Sequence, residues 1–219
     1  QAVSKKIFKT SNKIKLSQSI IEFRTKITDF KQINCIRIIP RLDYYVIEVI
    51  YTISDTEIKL DNNRYMSIDL GVNNLATLTS NVKGVNPIII NGKPLKSINQ
   101  FYNKRLSHYQ SVLEKRNHSK TSKRTRKLTN KRTNKIDNYL HKASKEIVSL
   151  AAKNNLNTII IGKNDGWKQE TNMAKSANQT FVNIPHSRFI QMIQYKCEIE
   201  GINVILQEES YTSKASFLN

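Results

Sequence analysis

Apolar and polar residues form short alternating runs in the first half of the chain, a pattern typical of β-strands. Residues 33–53 ("INCIRIIPRLDYYVIEVIYTI") contain two β-branched and aromatic runs separated by "PRLD", which predicts a β-hairpin. The segment before this hairpin is too polar for core positions to be expected in it. Three further runs, "RYMSIDL", "LATLTS" and "NPIIING", are separated by Gly and Asn and predict three strands in meander order.

The second half of the chain changes to helical spacing. From Ser97, apolar residues recur at three and four positions and predict one helix, and a second helix is predicted over Lys131–Asn154. "NTIIIGKND" predicts a buried strand that ends at glycine. A helix is predicted to start behind Pro185 and to end at Gly201, and "INVILQEES" predicts a last strand. This order predicts an α/β sheet with a meander at one end and parallel strands at the other.

The net positive charge of the chain predicts a polyanionic partner. The chain has 36 Lys and Arg against 17 Asp and Glu, a formal net charge of +19. Residues 104–135, which we call the basic segment, contain one acid, Glu114. Its basic residues are Lys104, Arg105, Lys115, Arg116, Lys120, Lys123, Arg124, Arg126, Lys127, Lys131, Arg132 and Lys135.

Nucleic-acid phosphate is the natural counter-charge for the basic segment, and the alternative is a solvated helical face in a lysine-rich proteome. Membrane binding fits less well, because "LEKRNHSKTSKRTRKLTNKRTNK" offers almost no bulky apolar face. No run approaches the roughly 18 to 20 apolar residues that cross a bilayer. The start "QAVSKKIFK" carries no apolar signal core. We therefore expect a cytoplasmic protein, and the start at Gln1 suggests a piece of a longer one.

Sulfur and imidazole ligands are not expected to form a metal site. Cys35 and Cys197 lie far apart in sequence, in apolar segments, with no second pair to complete a zinc site. The four histidines share no ligand spacing, so none is assigned to a metal.

Carboxylates at the ends of predicted strands are the main candidates for chemistry. Asp69 closes "YMSID", and Glu208 and Glu209 close "VILQEE". In α/β sheets function gathers at strand ends, and neighbouring unpaired carboxylates repel each other unless a cation lies between them. Mg²⁺ suits oxygen ligands and binds one or two carboxylates, with water and phosphate in its other positions. The alternative for Asp69 alone is a turn-forming Asp close to a glycine.

The motifs around these acids resemble a known family. "IDLGVNNLATLTSN" is similar to the first active-site segment of the RNase H-like (RuvC) nuclease domain of TnpB proteins, which are encoded by transposons (OrfB family) and related to type V CRISPR effectors. "IIIGKNDGWKQ" and "EESYTSK" are similar to later parts of that domain, and the three motifs in this order are specific. The resemblance covers most of the chain.

The resemblance implies a fold class and a domain organisation. The fold expected is an α/β, RNase H-like (RuvC) mixed sheet with flanking helices and a basic helical insertion at about residues 97–155. Residues 61–219 would form an incomplete nuclease domain. Residues 1–60 would be the end of an N-terminal β-rich, wedge-like nucleic-acid-binding region. The chain would be truncated at both ends.

The resemblance also implies an activity, RNA-guided cleavage of DNA with Mg²⁺ (or Mn²⁺). The partners implied are guide RNA and target DNA, without a membrane or a small-molecule substrate. Three acids bind the metals in this family, and Asp69 matches the first. Gly162 and Lys163 stand where the usual Glu follows its strand, and neither can bind a metal cation through its side chain.

One branch of the family supplies the second acid just before "YTS", which makes Glu209 the expected metal ligand and catalytic residue, with Glu208 as the alternative. The third acid would lie beyond Asn219. Asp165, near the place of the usual Glu, is a candidate third ligand but is better explained as a turn residue.

Three further residues are candidates for nucleic-acid binding. Trp167 would stack on a base or cover the core, and both interpretations fit its position. Lys168 and Arg188 would contact phosphate, with surface charge as an equally good explanation.

Two functions therefore remain open. The protein is either a metal-dependent, RNA-guided DNA endonuclease or an inactive relative that binds guide RNA and DNA without cutting. A transposase that joins strands itself is disfavoured because the motifs resemble the nuclease.

Overall fold

The chain divides into two compact units, residues 1–55 and residues 56–219. The sequence placed the division near residue 60. The computed structural model describes residues 13–16, 19–27, 31–41, 44–54, 56–163 and 184–208.

The first unit contains two antiparallel pairs of strands. β1 (Lys13–Lys15) pairs with β2 (Glu22–Arg24), and β3 (Gln32–Pro40) pairs with β4 (Tyr45–Thr52). The second pair confirms the hairpin predicted from residues 33–53.

A small apolar cluster holds the first unit together. Ile14, Leu16 and Ile36 are buried in it. The expectation that no core residue precedes the hairpin is therefore wrong. In the strand "KIK", alternation turns Ile14 inward and its two lysine neighbours outward, so the polar composition of the segment hides a buried side chain.

The second unit is built on a five-stranded mixed sheet. Its elements in chain order are β5 (Tyr65–Leu70), β6 (Asn74–Ser80), β7 (Ile88–Asn91), α1 (Lys93–Asn117), α2 (Lys123–Lys153), β8 (Thr158–Lys163), α3 (His186–Ile199) and β9 (Asn203–Glu208). The strand order in space is β7-β6-β5-β8-β9. β5, β6 and β7 form an antiparallel meander, and β8 and β9 are added in parallel to β5. The predicted order and directions of these strands are confirmed.

Alternation along β5 separates the two faces of the sheet. Met66, Ile68 and Leu70 are buried in one apolar cluster with residues of α2 and α3, such as Leu140 and Phe189. The intervening residues of β5 are exposed on the other face. The helices therefore cover the apolar side of β5.

Both long helices begin earlier than the apolar periodicity predicts. α1 begins at Lys93, directly before a proline, which suits the first turn of a helix. α2 begins at Lys123, where Ser122 Oγ accepts from Thr125 N at 3.2 Å and Ser122 N donates to Thr125 Oγ1 at 2.8 Å. This capping box starts a helix whose first turns are too basic to show a hydrophobic period.

Among the described residues, no helix combines the length and the apolar character that crossing a bilayer requires.

The two thiols should differ in reactivity. Cys197 is fully buried on α3, and this burial, followed by the charge of Glu200, raises the pKa of its thiol to about 12. Cys35 on β3 is half-buried. Because the thiolate is the reactive form, we expect an aromatic disulfide reagent to label Cys35 in the folded chain and Cys197 only after unfolding in guanidinium.

Cys35→Ser is the control for this labelling experiment, and it should remove the reaction of the folded chain. Fast labelling of two thiols in the folded chain would contradict the packing of α3.

Candidate active site and nucleic-acid interface

Asp69 lies next to the end of β5, the central strand of the sheet. Its side chain is exposed on the face opposite the apolar cluster, and Thr77 of β6 pairs with it across the sheet. On the same face, the hydroxyl groups of Ser67 and Thr79 lie 2.6 Å apart. Among the described residues, no basic side chain forms an ion pair with Asp69. The carboxylate is therefore accessible to a cation from solvent.

The register of β8 places a glycine beside this acid. Ile68 pairs with Ile161, so the next residue pair along the two strands is Asp69 and Gly162. Gly162 in turn pairs with Gln207 of β9. A residue without a side chain therefore separates Asp69 from β9, and with Lys163 it stands where the resemblance implies the usual Glu.

Glu208 lies on the other face of the sheet from Asp69. It pairs with Lys163, two residues after the pair formed by Ile161 and Leu206. Ile161 is buried on the same side as Ile68, and residues two apart in a strand share a face. The structure therefore does not bring Glu208 to Asp69.

Several predicted site residues lie outside the described residues, namely Glu209, Asp165, Trp167 and Lys168. The pairing of Asp69 with Glu209 therefore stays a prediction. In the part of the chain that the structure describes, no three His, Cys, Asp or Glu side chains form a group that could hold a metal ion. One exposed carboxylate is compatible with Mg²⁺, which accepts water and phosphate oxygens in its remaining positions.

The turn that follows Asp69 packs tightly against the start of α1. Gly92 N donates to Asn73 O at 2.7 Å, and Lys96 Nζ donates to Asn73 Oδ1 at 2.7 Å. A Cβ on Gly92 would lie only 2.2 Å from Val72 O. Only glycine therefore permits this approach. Sequence reasoning missed Gly92 and Lys96, because "NGKP" by itself indicates only a helix start.

His186 connects the same turn to α3. Its side chain is buried, and its Nε2 lies 3.0 Å from Gly71 O. Because a carbonyl oxygen only accepts, Nε2 must carry the proton in this contact. His186 is thus a positioning residue for the turn beside the acid. Sequence reasoning assigned no role to His186, because the histidines share no ligand spacing. No local sequence pattern indicates its contact with the turn.

Two arginines of the basic segment join α1 to α2. Arg132 Nε donates to Asn99 Oδ1 at 2.7 Å, and the guanidinium lies 5.0 Å from the centre of the Tyr102 ring. Arg124 lies 4.5 Å from the centre of the Tyr109 ring. These cation–π contacts hold the two helices together as a hairpin.

Most of the basic segment is nevertheless accessible. Arg132 is half-buried, and the other eleven basic residues of the segment are exposed. A concentration of exposed cations on one helical hairpin is suited to phosphate, and the binding of nucleic acid by these residues stays a prediction.

The chain is similar to known protein families. Residues 48–168, more than half of the chain, match the model of a family described as probable transposase (OrfB_IS605). Residues 186–217 match a Cas12f1-like TNB domain. No curated protein matches the sequence significantly.

Two solved structures share the fold. A chain in the cryo-EM structure of the Cas12f1–sgRNA–target DNA complex is 18% identical, with a TM-score of 0.51 over 82% of this chain and 43% of that chain. A chain in the cryo-EM structure of the CRISPR-Cas12f ternary complex is 16% identical, with a TM-score of 0.51 over 84% and 37%. The chain thus spans less than half the length of either protein. These matches confirm the predicted fold class and the resemblance drawn from the motifs.

Gly92→Ala should destabilise the chain, because the added Cβ meets the backbone of the turn after Asp69. Overpacking of this kind typically lowers the free energy of unfolding by about 1–3 kcal/mol. Urea unfolding followed by circular dichroism measures the change.

Gly84→Ala is the comparison variant. No atom lies within 4 Å of its Cβ position, and its φ of +88° adds only backbone strain, which costs about 1 kcal/mol. A Gly92→Ala chain that is more stable than the Gly84→Ala chain would contradict the close approach.

Proposed function

Because the chain belongs to the probable transposase family, we propose that the full-length protein is an RNA-guided DNA endonuclease of the TnpB type. The observation that carries the proposal is the position of Asp69, an exposed carboxylate next to the end of the central strand. The match of residues 186–217 to a Cas12f1-like TNB domain supports the same conclusion.

Asp69 and Glu209 are the residues that would hold Mg²⁺ or Mn²⁺. Gly162, the neighbour of Asp69 on β8, carries no side chain that could compete with a cation for the carboxylate. When bound, such ions stabilise the attacking and leaving oxygens of phosphodiester hydrolysis. The protein's part is to hold Asp69 in place, through Gly92 and His186 at the following turn.

The partners proposed are guide RNA and target DNA. One of the structures that share the fold is a complex of Cas12f1 with sgRNA and target DNA, which supports this choice. The exposed cations of the basic segment would contact phosphates, with Lys168 and Trp167 as further contacts. Neutralised phosphates release their condensed ions, so affinity should depend steeply on salt.

A nuclease-inactive relative that binds guide RNA and DNA is the second candidate function. Gly162 and Lys163 favour it, because they stand where the family usually has a metal-binding Glu. If the protein does cleave DNA, catalysis requires Glu209 and an acid beyond residue 219 as the further metal ligands.

Asp69→Asn in the full-length protein separates the two functions. It removes the charge of a metal ligand and keeps the shape of the side chain, so Mg²⁺-dependent cleavage of target DNA should fall by at least about 100-fold. Guide RNA and target DNA affinity should stay within about threefold, because the basic segment supplies it. Cleavage and binding are measured side by side at one salt concentration.

Asp61→Asn is the matched control. It makes the same chemical change four residues before β5 begins, at the end of the strand away from Asp69, and should leave cleavage unchanged. Absence of metal-dependent cleavage by the unmodified protein with its own guide would favour the inactive relative. Collapse of both cleavage and binding in Asp69→Asn would show that the residue is structural.

A further inference from the structure

One face of α2 carries a row of lysines that extends beyond the basic segment. Lysines recur every four residues from Lys123 to Lys135, and the same face continues at three- and four-residue steps. We call this row the lysine ladder. Its members are Lys123, Lys127, Lys131, Lys135, Asn138, Lys142 and Lys145.

The ladder is exposed and includes no acidic residue among its members. All seven side chains are exposed, and none of the six lysines forms a salt bridge with another described residue. Asp137, the nearest acid along this part of α2, is paired with Arg188 at 2.9 Å. Glu146 follows Lys145 and marks the end of the row.

The contacts of α2 with the sheet and with α1 fix the ladder in space. Ile136, Leu140 and Ile147 are buried against the sheet, and Arg132 and Arg124 stack on tyrosines of α1. The basic side chains of α2 are thus divided between two tasks. Two arginines hold the hairpin together, and the lysines face solvent along one continuous helix.

The spacing of the ladder indicates what can use all of it at once. From Lys123 to Lys145 the ladder is about 33 Å long, with a cation at steps of about 4.5–6 Å along most of that length. Each strand of a duplex winds around the duplex axis, so its phosphates soon leave a line of lysines that runs along α2. The next phosphates near that line lie across a groove of about 6 or 12 Å. A single strand can follow the helix axis and place successive phosphates beside successive lysines.

We propose that the lysine ladder of α2 is a track for a single strand of nucleic acid that runs along the helix. The proposal rests on the proposed function for the presence of nucleic acid, and adds the path and the strandedness of the ligand. The ladder contacts phosphate through lysine ammonium groups, so it does not distinguish RNA from DNA. It includes Lys142 and Lys145, which lie outside the basic segment.

The test replaces four ladder lysines by glutamine, as Lys127→Gln, Lys131→Gln, Lys135→Gln and Lys142→Gln together in the full-length protein. Glutamine keeps the helix propensity. Affinity for 12-nucleotide single-stranded RNA, the same DNA and a 12-base-pair RNA–DNA duplex is measured over a salt series in EDTA. For either single strand, the slope of log affinity against log salt should fall by about 3, because each phosphate that a lysine neutralises adds about 0.7. For the duplex it should fall by less than half as much.

The matched control removes four exposed lysines outside α2, as Lys31→Gln, Lys59→Gln, Lys83→Gln and Lys93→Gln together. The net charge changes equally, and the single-strand slope should change by less than about 1. Three outcomes would overturn the proposal. The salt slope for single strands could fall equally in both variants, the slope for the duplex could fall as much as or more than that for single strands, or the change could be confined to RNA or to DNA. Guided, metal-dependent cleavage by the unmodified protein is scored separately, so the ladder can fail while the nuclease assignment stands.

Discussion

The alternation of side chains along β5 is the constraint on which the candidate site depends. Burying Met66, Ile68 and Leu70 in the cluster with α2 and α3 forces Asp69 onto the other face. A slip of one residue would move the carboxylate into that cluster, where an unpaired charge is very costly. The free energy that forms the core therefore also sets the direction of the acid.

The same rule, applied across the parallel strands, decides which acids can meet. Because Glu208 shares a face with Ile161, it cannot serve as a second metal ligand on the face that carries Asp69. Beyond the strand, the direction of the chain is held by close contacts. Gly92 and His186 bind successive parts of the turn after Asp69, so the starts of α1 and α3 both converge on it.

Arginine and lysine have different tasks in the helical hairpin. The planar guanidinium groups of Arg124 and Arg132 stack on tyrosine rings and stabilise the contact of α1 with α2. The lysines of α2 remain exposed at regular steps, where a compact charge on a flexible stem can meet phosphate. A count of basic residues does not distinguish the arginines that stack on tyrosine rings from the lysines that face solvent.

The sequence by itself determined the strands from β3 onward, the order and directions in the five-stranded sheet, the apolar face of α2 and the position of Asp69 at a strand end. Each of these follows from a period of two or of 3.6 residues, from turn residues or from short motifs. The sequence did not determine the buried role of Ile14, the early start of α2 at Lys123, the need for glycine at position 92 or the contact of His186 with the turn. Those features are decided by capping and by packing between residues far apart in the chain, and a local pattern carries no record of such distances.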